Sequence, residues 1–221
     1  MALTPRAIQR MPTREPLPAA AAPRGRTVLL DKDGTLVENV PYNVDPARIR
    51  FAPGAERGVR LLAQNGYRIA LVSNQPGVAR GLFSEADVER VGAHLAARLE
   101  SLGAELAGFY FCPHHPDGML ARYRRACGCR KPQPGLLRRA ALDLGLDLKA
   151  TWLVGDILDD VEAGRRAGCR TILIDNGNET EWVRGRYREP EHIAADLAAA
   201  ARFIVTVAEN DNRQAAGEEV G

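Results

Sequence analysis

The chain has 221 residues, 45% of them hydrophobic and 26% charged, enough for one globular domain with a sizeable core. Its net charge of +2 points to neither nucleic acid nor a membrane surface, and no apolar run approaches the roughly 20 residues of a membrane span. Four cysteines in a chain of this length argue against a secreted disulfide framework and fit a reducing cytoplasm.

Residues 1–25 are rich in Ala, Pro and Arg and lack the apolar stretch of a secretory signal. They read as a flexible leader, with a cleaved transit peptide as the alternative. The first strand is expected at Thr27 to Leu30, a short β-rich apolar run of a length that suits burial. Immediately after it stands Asp31-Lys-Asp-Gly-Thr35. Two carboxylates two residues apart can divide labour, one attacking while the other moves protons. Gly34 lets the backbone turn sharply and leaves its N–H open to an anion. Taken alone, this D-x-D-G-T is equally an ordinary acidic turn.

A helix follows from Gly54 to Gln64, then a strand from Arg68 to Val72 that runs into Ser73-Asn-Gln75. The Ser73 hydroxyl could donate to a phosphoryl oxygen or simply cap a turn. Ser84 to Leu102 opens with a Ser-x-x-Asp cap and places Val88, Val91, Leu95, Leu99 and Leu102 on one helical face. His94 lies beside that stripe and reads as a partly exposed helical residue.

The strand Phe109 to Phe111 leads into Cys112-x-His114, twelve residues, then Cys127-x-Cys129. These are four ligands of the number and type a structural Zn2+ ion takes, and a complete shell leaves no position for water. His115 competes with His114 for the second place. A Zn2+ there would pin a loop with little core of its own and thereby place Arg130 and Lys131. Only three lysines occur, Lys32, Lys131 and Lys149, so an ammonium kept in an arginine-rich chain suggests a compact charge suited to one phosphoryl group.

Beyond a helix from Pro134 to Leu144, the strand Thr151 to Val154 ends in Gly155-Asp156, with Asp160 one helical turn on. Asp31, Asp33 and Asp156 together would call for a hard cation such as Mg2+. Alone, the G-D-x-x-x-D run is also just an acid-rich helix start. Cys169 reads as a buried thiol before the strand Thr171 to Ile174, Trp152 as core, and Trp182 and His192 carry no role. Ala194 to Val207 continues a peripheral element as helix or helix and strand, and 208–221 reads as a disordered tail. The phosphate-site motifs and all five strands thus fall within 26–207. Alternating strands and helices predict an α/β fold with a doubly wound parallel sheet. Its ligands gather beyond the carboxyl ends of the strands, where all these polar motifs lie. Too few residues separate the motifs for a separate cap domain.

The ordered set D-x-D-G-T, Ser73, Lys131 and G-D-x-x-x-D resembles the haloacid-dehalogenase-like phosphatases over roughly residues 26–177. The resemblance implies a Rossmann-like fold and Mg2+-dependent hydrolysis of a phosphomonoester. Asp31 would be the nucleophile and Asp33 the acid and base, with Ser73 and Lys131 on the phosphoryl oxygens. Mg2+ would be held by Asp31, the Asp33 carbonyl and Asp156, with Asp160 orienting Lys131. C-P-H-H-P, the long insertion, C-x-C-R-K-P and Ser73-Asn-Gln-Pro-Gly-Val-Ala-Arg-Gly81 resemble the heptose bisphosphate phosphatases within that family. Histidinol-phosphate phosphatases are similar with a shorter loop. That resemblance implies a small sugar-phosphate substrate in heptose biosynthesis, touching Asn39, Tyr42, Ser73, Asn74, Gln75, Arg130 and Lys131, and a cytoplasmic monomer without nucleic-acid or membrane partner. One position departs from the pattern: Ile157 stands where the heptose enzymes often carry a lysine. A nucleic-acid module built on the arginines of the zinc loop is disfavoured, because four aspartates would repel a polyanion. A catalytically silent regulator is disfavoured because no chemical position of the motif set is missing.

Overall fold

The computed structural model describes residues 26–218, so the expected leader and the last three residues lie outside it. Six parallel strands form one sheet in the order β3-β2-β1-β4-β5-β6. They are β1 (Thr27–Leu30), β2 (Arg68–Asn74), β3 (Leu106–Cys112), β4 (Trp152–Gly155), β5 (Arg170–Ile174) and β6 (His192–Ala194). The central strand β1 is buried along its whole length, as a strand covered on both faces requires. Its side chains alternate: Val28 and Leu30 enter one core and Leu29 the other.

Helices α1 (Ala55–Gln64), α2 (Glu85–Ser101) and α5 (Leu197–Glu218) cover the first face. Helices α3 (Gly135–Leu144) and α4 (Leu158–Ala167) cover the second. The predicted cap of α2 is a complete capping box: Asp87 N donates to Ser84 Oγ at 3.2 Å, and Ser84 N donates back to Asp87 Oδ2 at 2.6 Å. The stripe of Val88, Val91, Leu95, Leu99 and Leu102 is buried as its spacing predicts.

The chain reverses its order across the sheet between β1 and β4. There Leu30 is in register with both Leu71 and Val154, and Asp31 N donates to Val154 O at 2.9 Å. This is the switch point at which a doubly wound sheet opens a crevice. The residues following β1, β2 and β4 therefore converge.

The far end of the sheet differs from expectation. His192 belongs to β6, an edge strand paired to β5, and its ring stacks on Phe203 at 3.8 Å. Residues 208–218, expected as a disordered tail, continue α5 as helix. The reason is tertiary anchoring: α5 is held by Leu197, Ala200, Ala201 and Ile204 in the core, and once nucleated it propagates past Asn210, Asp211 and Asn212, which are poor helix formers by themselves.

Candidate active site

Four aspartates, a serine and a lysine from four separate stretches meet beyond the carboxyl ends of β1, β2 and β4. Asp31 is one residue past β1 and only 6% exposed. Asp156 directly follows β4 and Asp160 lies in the first turn of α4. Carboxylate oxygens of Asp31, Asp156 and Asp160 lie within 4.8 Å of one another, all buried. Two glycines permit this crowding. A Cβ on Gly34 would come within 2.0 Å of Asp156 Oδ2, and one on Gly155 within 2.3 Å of Asp160 Cβ. Gly34 also has φ +89°, a left-handed conformation that other residues resist.

Lys131 is buried in the middle of these acids. Its Nζ donates to Asp31, donates to Val72 O at 2.9 Å, and forms an ion pair with Asp160 at 2.5 Å. Burial alone would lower its pKa, but Asp160 and Asp31 outweigh it and hold Lys131 above the ordinary lysine range. Its backbone is fixed as well: Asn74 Nδ2 donates to Lys131 O and Lys131 N donates to Asn74 Oδ1, both at 3.0 Å. Asn74 thus serves the lysine through its main chain.

The acids remain under-neutralised. Burial, then repulsion from the other aspartates against the pull of Lys131, pushes Asp31 well above the carboxylate range. Burial and Asp160 push Asp156 up to about 6. Buried oxygens that repel one another in this way fit a hard divalent cation, and Thr35 Oγ1 at 3.0 Å and Asn178 Nδ2 at 2.8 Å hold the Asp156 carboxylate in place.

Asp33 lies beside this cluster, half-buried, pairs with Lys32 and accepts from Gln75 Nε2 at 3.1 Å. The same Gln75 amide donates to Ser73 Oγ at 2.9 Å. Ser73 accepts there, so its hydroxyl hydrogen is left to donate elsewhere. Asn39 and Tyr42 are exposed and, among the described residues, hydrogen-bond to none of these acids. Tyr42 has φ +55° and lies under the Arg80 guanidinium, 5.6 Å from its ring centre.

The loop between β3 and α3 gathers Cys112, His114, Cys127 and Cys129. Their sulfurs are 3.2–3.5 Å apart, and His114 Nδ1 is 3.6 Å from Cys112 Sγ and 3.4 Å from Cys129 Sγ. Edges of this length enclose a centre about 2 Å from each atom, close to the bond lengths of Zn2+ to thiolate and imidazole. Burial lowers the pKa of His114 and so favours the neutral imidazole that could hold a metal. Hydrogen bonds from Cys112 and Cys129 pull the Cys127 thiol down, while those with Cys127 and Cys129 push Cys112 up. His115 is outside the cluster, its Nδ1 accepting from Asp117 N at 3.1 Å. Cys169 is a buried thiol pushed up to about 12 by burial.

Sequence motifs alone do not find Asn178, nor Glu179, whose Oε2 accepts from Leu158 N at 2.7 Å at the start of α4. Both sit in an irregular polar stretch after β5, where Asn and Glu carry no periodic signal. The one hint is position, since they follow a strand end of the crevice.

The HAD-hydrolase-like family profile matches residues 128–200. The D-glycero-beta-D-manno-heptose-1,7-bisphosphate 7-phosphatase of Rhodopseudomonas palustris is 40% identical over 165 residues, covering 75% of this chain and 92% of that protein. The protein of the same name from Escherichia coli K12 is 35% identical over 165 residues, covering 71% and 86%. The crystal structure of a D,D-heptose 1,7-bisphosphate phosphatase from B. bronchiseptica, complexed with magnesium and phosphate, superposes with a TM-score of 0.71 at 31% identity. It covers 82% of this chain and 98% of that one.

Proposed function

Because the chain belongs to the haloacid-dehalogenase-like phosphatases, in the group of the heptose-1,7-bisphosphate 7-phosphatases, we propose that it removes the 7-phosphate of D-glycero-β-D-manno-heptose 1,7-bisphosphate in heptose biosynthesis. The observation that carries the chemistry is Asp31, buried at the switch point against Lys131 and beside Asp156. An Asp31 oxygen attacks phosphorus in line, forming an aspartyl-phosphate as the bond to the sugar oxygen breaks. Asp33, the more open carboxyl, gives its proton to that oxygen. It then takes a proton from the water that attacks the acyl phosphate, so that inorganic phosphate leaves and Asp31 is restored.

Lys131 exchanges its bond to Asp31 for the phosphoryl oxygens while Asp160 keeps it in place, and Ser73 donates its free hydrogen to the same group. Asp31, the Asp33 carbonyl and Asp156 would hold Mg2+, which would supply the charge neutralisation that lets a dianionic ester approach these acids; the relative complexed with magnesium and phosphate supports this. Cys112, His114, Cys127 and Cys129 would hold a structural Zn2+. Among the described residues no helix is long and apolar enough to cross a membrane, and we assign the chain to the cytoplasm as a monomer acting on a soluble sugar phosphate, without nucleic acid.

The deciding experiment is phosphate release with Mg2+ from both anomers of the heptose bisphosphate, with histidinol phosphate and fructose 1,6-bisphosphate alongside. The β anomer is expected to win, as the names of the relatives support. If histidinol phosphate wins, the chemistry stands and the sugar assignment falls.

The acid cluster also sets a pH dependence. Asp31 and Asp156 have raised folded-state pKa values, so the metal-free fold is favoured by their protonation at low pH. For Asp156 that contribution is lost as pH rises from about 4 through about 6. Mg2+ competes with those protons. The rise in melting temperature on adding Mg2+ should therefore be small at pH 5 and full at pH 8, by thermal denaturation with and without MgCl2. An increment that does not change with pH would place the cation elsewhere.

A further inference from the structure

We infer that Arg80 is a second guanidinium that, together with Arg130, clamps the substrate's non-reacting phosphate, and that the metal-binding loop holds Arg80 in position. The inference deepens the substrate assignment above and rests on it.

Among the described residues, two arginines near the site have no ion-pair partner, unlike several others in the chain. Arg188 binds Asp159 and Glu162, Arg170 binds Glu191 and Arg139 binds Asp143. Arg130, between the ligand Cys129 and Lys131, has a buried Nη1 with no hydrogen-bond partner. A buried donor left unpaired calls for an acceptor that arrives from outside the chain. Arg80 is exposed, makes no ion pair among the described residues, and lies over the face of Tyr42, at 5.6 Å. Stacking of this kind orients a guanidinium while leaving its N–H fork free. Both guanidiniums lie within electrostatic reach of His115, which ties them to one region. The position after Asp156 is Ile157 and brings no charge.

Arg80 is on the loop that follows Ser73 and Asn74 at the end of β2, so the chain leads directly from the reacting phosphate to it. The metal-binding loop grips it from both sides. Leu120 N donates to Ala79 O at 2.9 Å, a Cβ on Gly118 would lie 2.8 Å from Ala79 Cβ, and Leu120 packs 3.7 Å from where a Cβ on Gly81 would be. Arg130 is continuous with the same loop. One loop therefore sets the separation of two guanidiniums, and a phosphate dianion accepts from two such forks at once.

The test compares kcat/KM on the heptose 1,7-bisphosphate with that on the same heptose carrying only the 7-phosphate. Arg80→Ala should lose on the order of 10- to 100-fold on the bisphosphate, chiefly through KM, and less than about 3-fold on the monophosphate. Arg80→Lys should fall between, and Arg80→Ala with Arg130→Ala should erase the preference for the bisphosphate. Gly118→Ala, which wedges the loop off Ala79, should show the same selective loss in smaller measure. Equal losses on both substrates, or none on the bisphosphate, overturn the role of Arg80. Unchanged bisphosphate kinetics in Gly118→Ala overturn the part given to the loop. A wild-type enzyme that turns over neither heptose phosphate overturns the substrate assignment and the clamp with it.

Discussion

Asp31→Asn is expected to lower phosphate release by on the order of 10^4-fold or more and to leave the chain folded. The two side chains have nearly the same shape, so the packing beyond β1 is kept, while the amide has no anionic oxygen to attack phosphorus. Stability should hold or rise. Burial and three neighbouring aspartates already push Asp31 above the carboxylate range, so the charge at this position is unfavourable to the fold at neutral pH. Lys131 does not become an orphan, because Asp160 at 2.5 Å and Val72 O at 2.9 Å remain. Phosphate release and melting temperature, measured together, check both halves. Raising Mg2+ separates the nucleophile from a residue that only holds the cation, since a weakened metal site is rescued by mass action and a missing nucleophile is not. Activity above a tenth of wild type, or recovered at high Mg2+, would remove Asp31 from the covalent step.

Much of this arrangement is legible in the sequence because the fold forces it. Thr27–Leu30 is a run of four apolar or β-branched residues with no polar face, and only a strand covered on both sides buries such a run. Once β1, β2 and β4 are placed, Asp31, Ser73 and Asp156 are placed too, since each is the polar residue at a carboxyl end. What stays hidden is what depends on long-range contact. β6 is three residues long and owes its existence to pairing with β5, so nothing local marks His192 as strand. Asp160 is expected to orient Lys131, yet its oxygens also lie within ligand distance of Asp31 and Asp156, because Gly155 lets α4 start against the strand end. The reach of Asn178 to Asp156 depends on how the stretch after β5 folds back over Gly34, whose carbonyl accepts from Asn176 Nδ2 at 2.7 Å. Asn in an irregular stretch suits any turn and signals none of this.

Cys129→Ser should have the largest effect on stability and should also cost activity, although Cys129 does not touch the substrate. Cys112 and Cys129 are part of the core on the α3 side, with Val72, Tyr110 and Leu136. The chain between Cys112 and α3 has no named helix or strand of its own. It is held by the four-ligand cluster, by Leu120 N on Ala79 O, and by the Tyr123 hydroxyl on Glu85. Loss of the zinc assigned here removes the strongest of these and leaves polar atoms buried without a partner, so a loss of roughly 4 kcal/mol, about 10 °C in melting temperature, is expected. Cys169→Ser supplies the control. That thiol is as deeply buried but outside the cluster, so it should keep the metal and lose much less stability. Lys131 is two residues beyond Cys129, and the same loop positions Arg130, so kcat should fall with the metal content measured on the dialysed protein. Should the metal be lost while kcat and melting temperature hold, the anchors on the core side, Asn74 on the Lys131 backbone and Asp160 on its ammonium, would suffice to place the lysine. The loop would then be left with substrate selection alone.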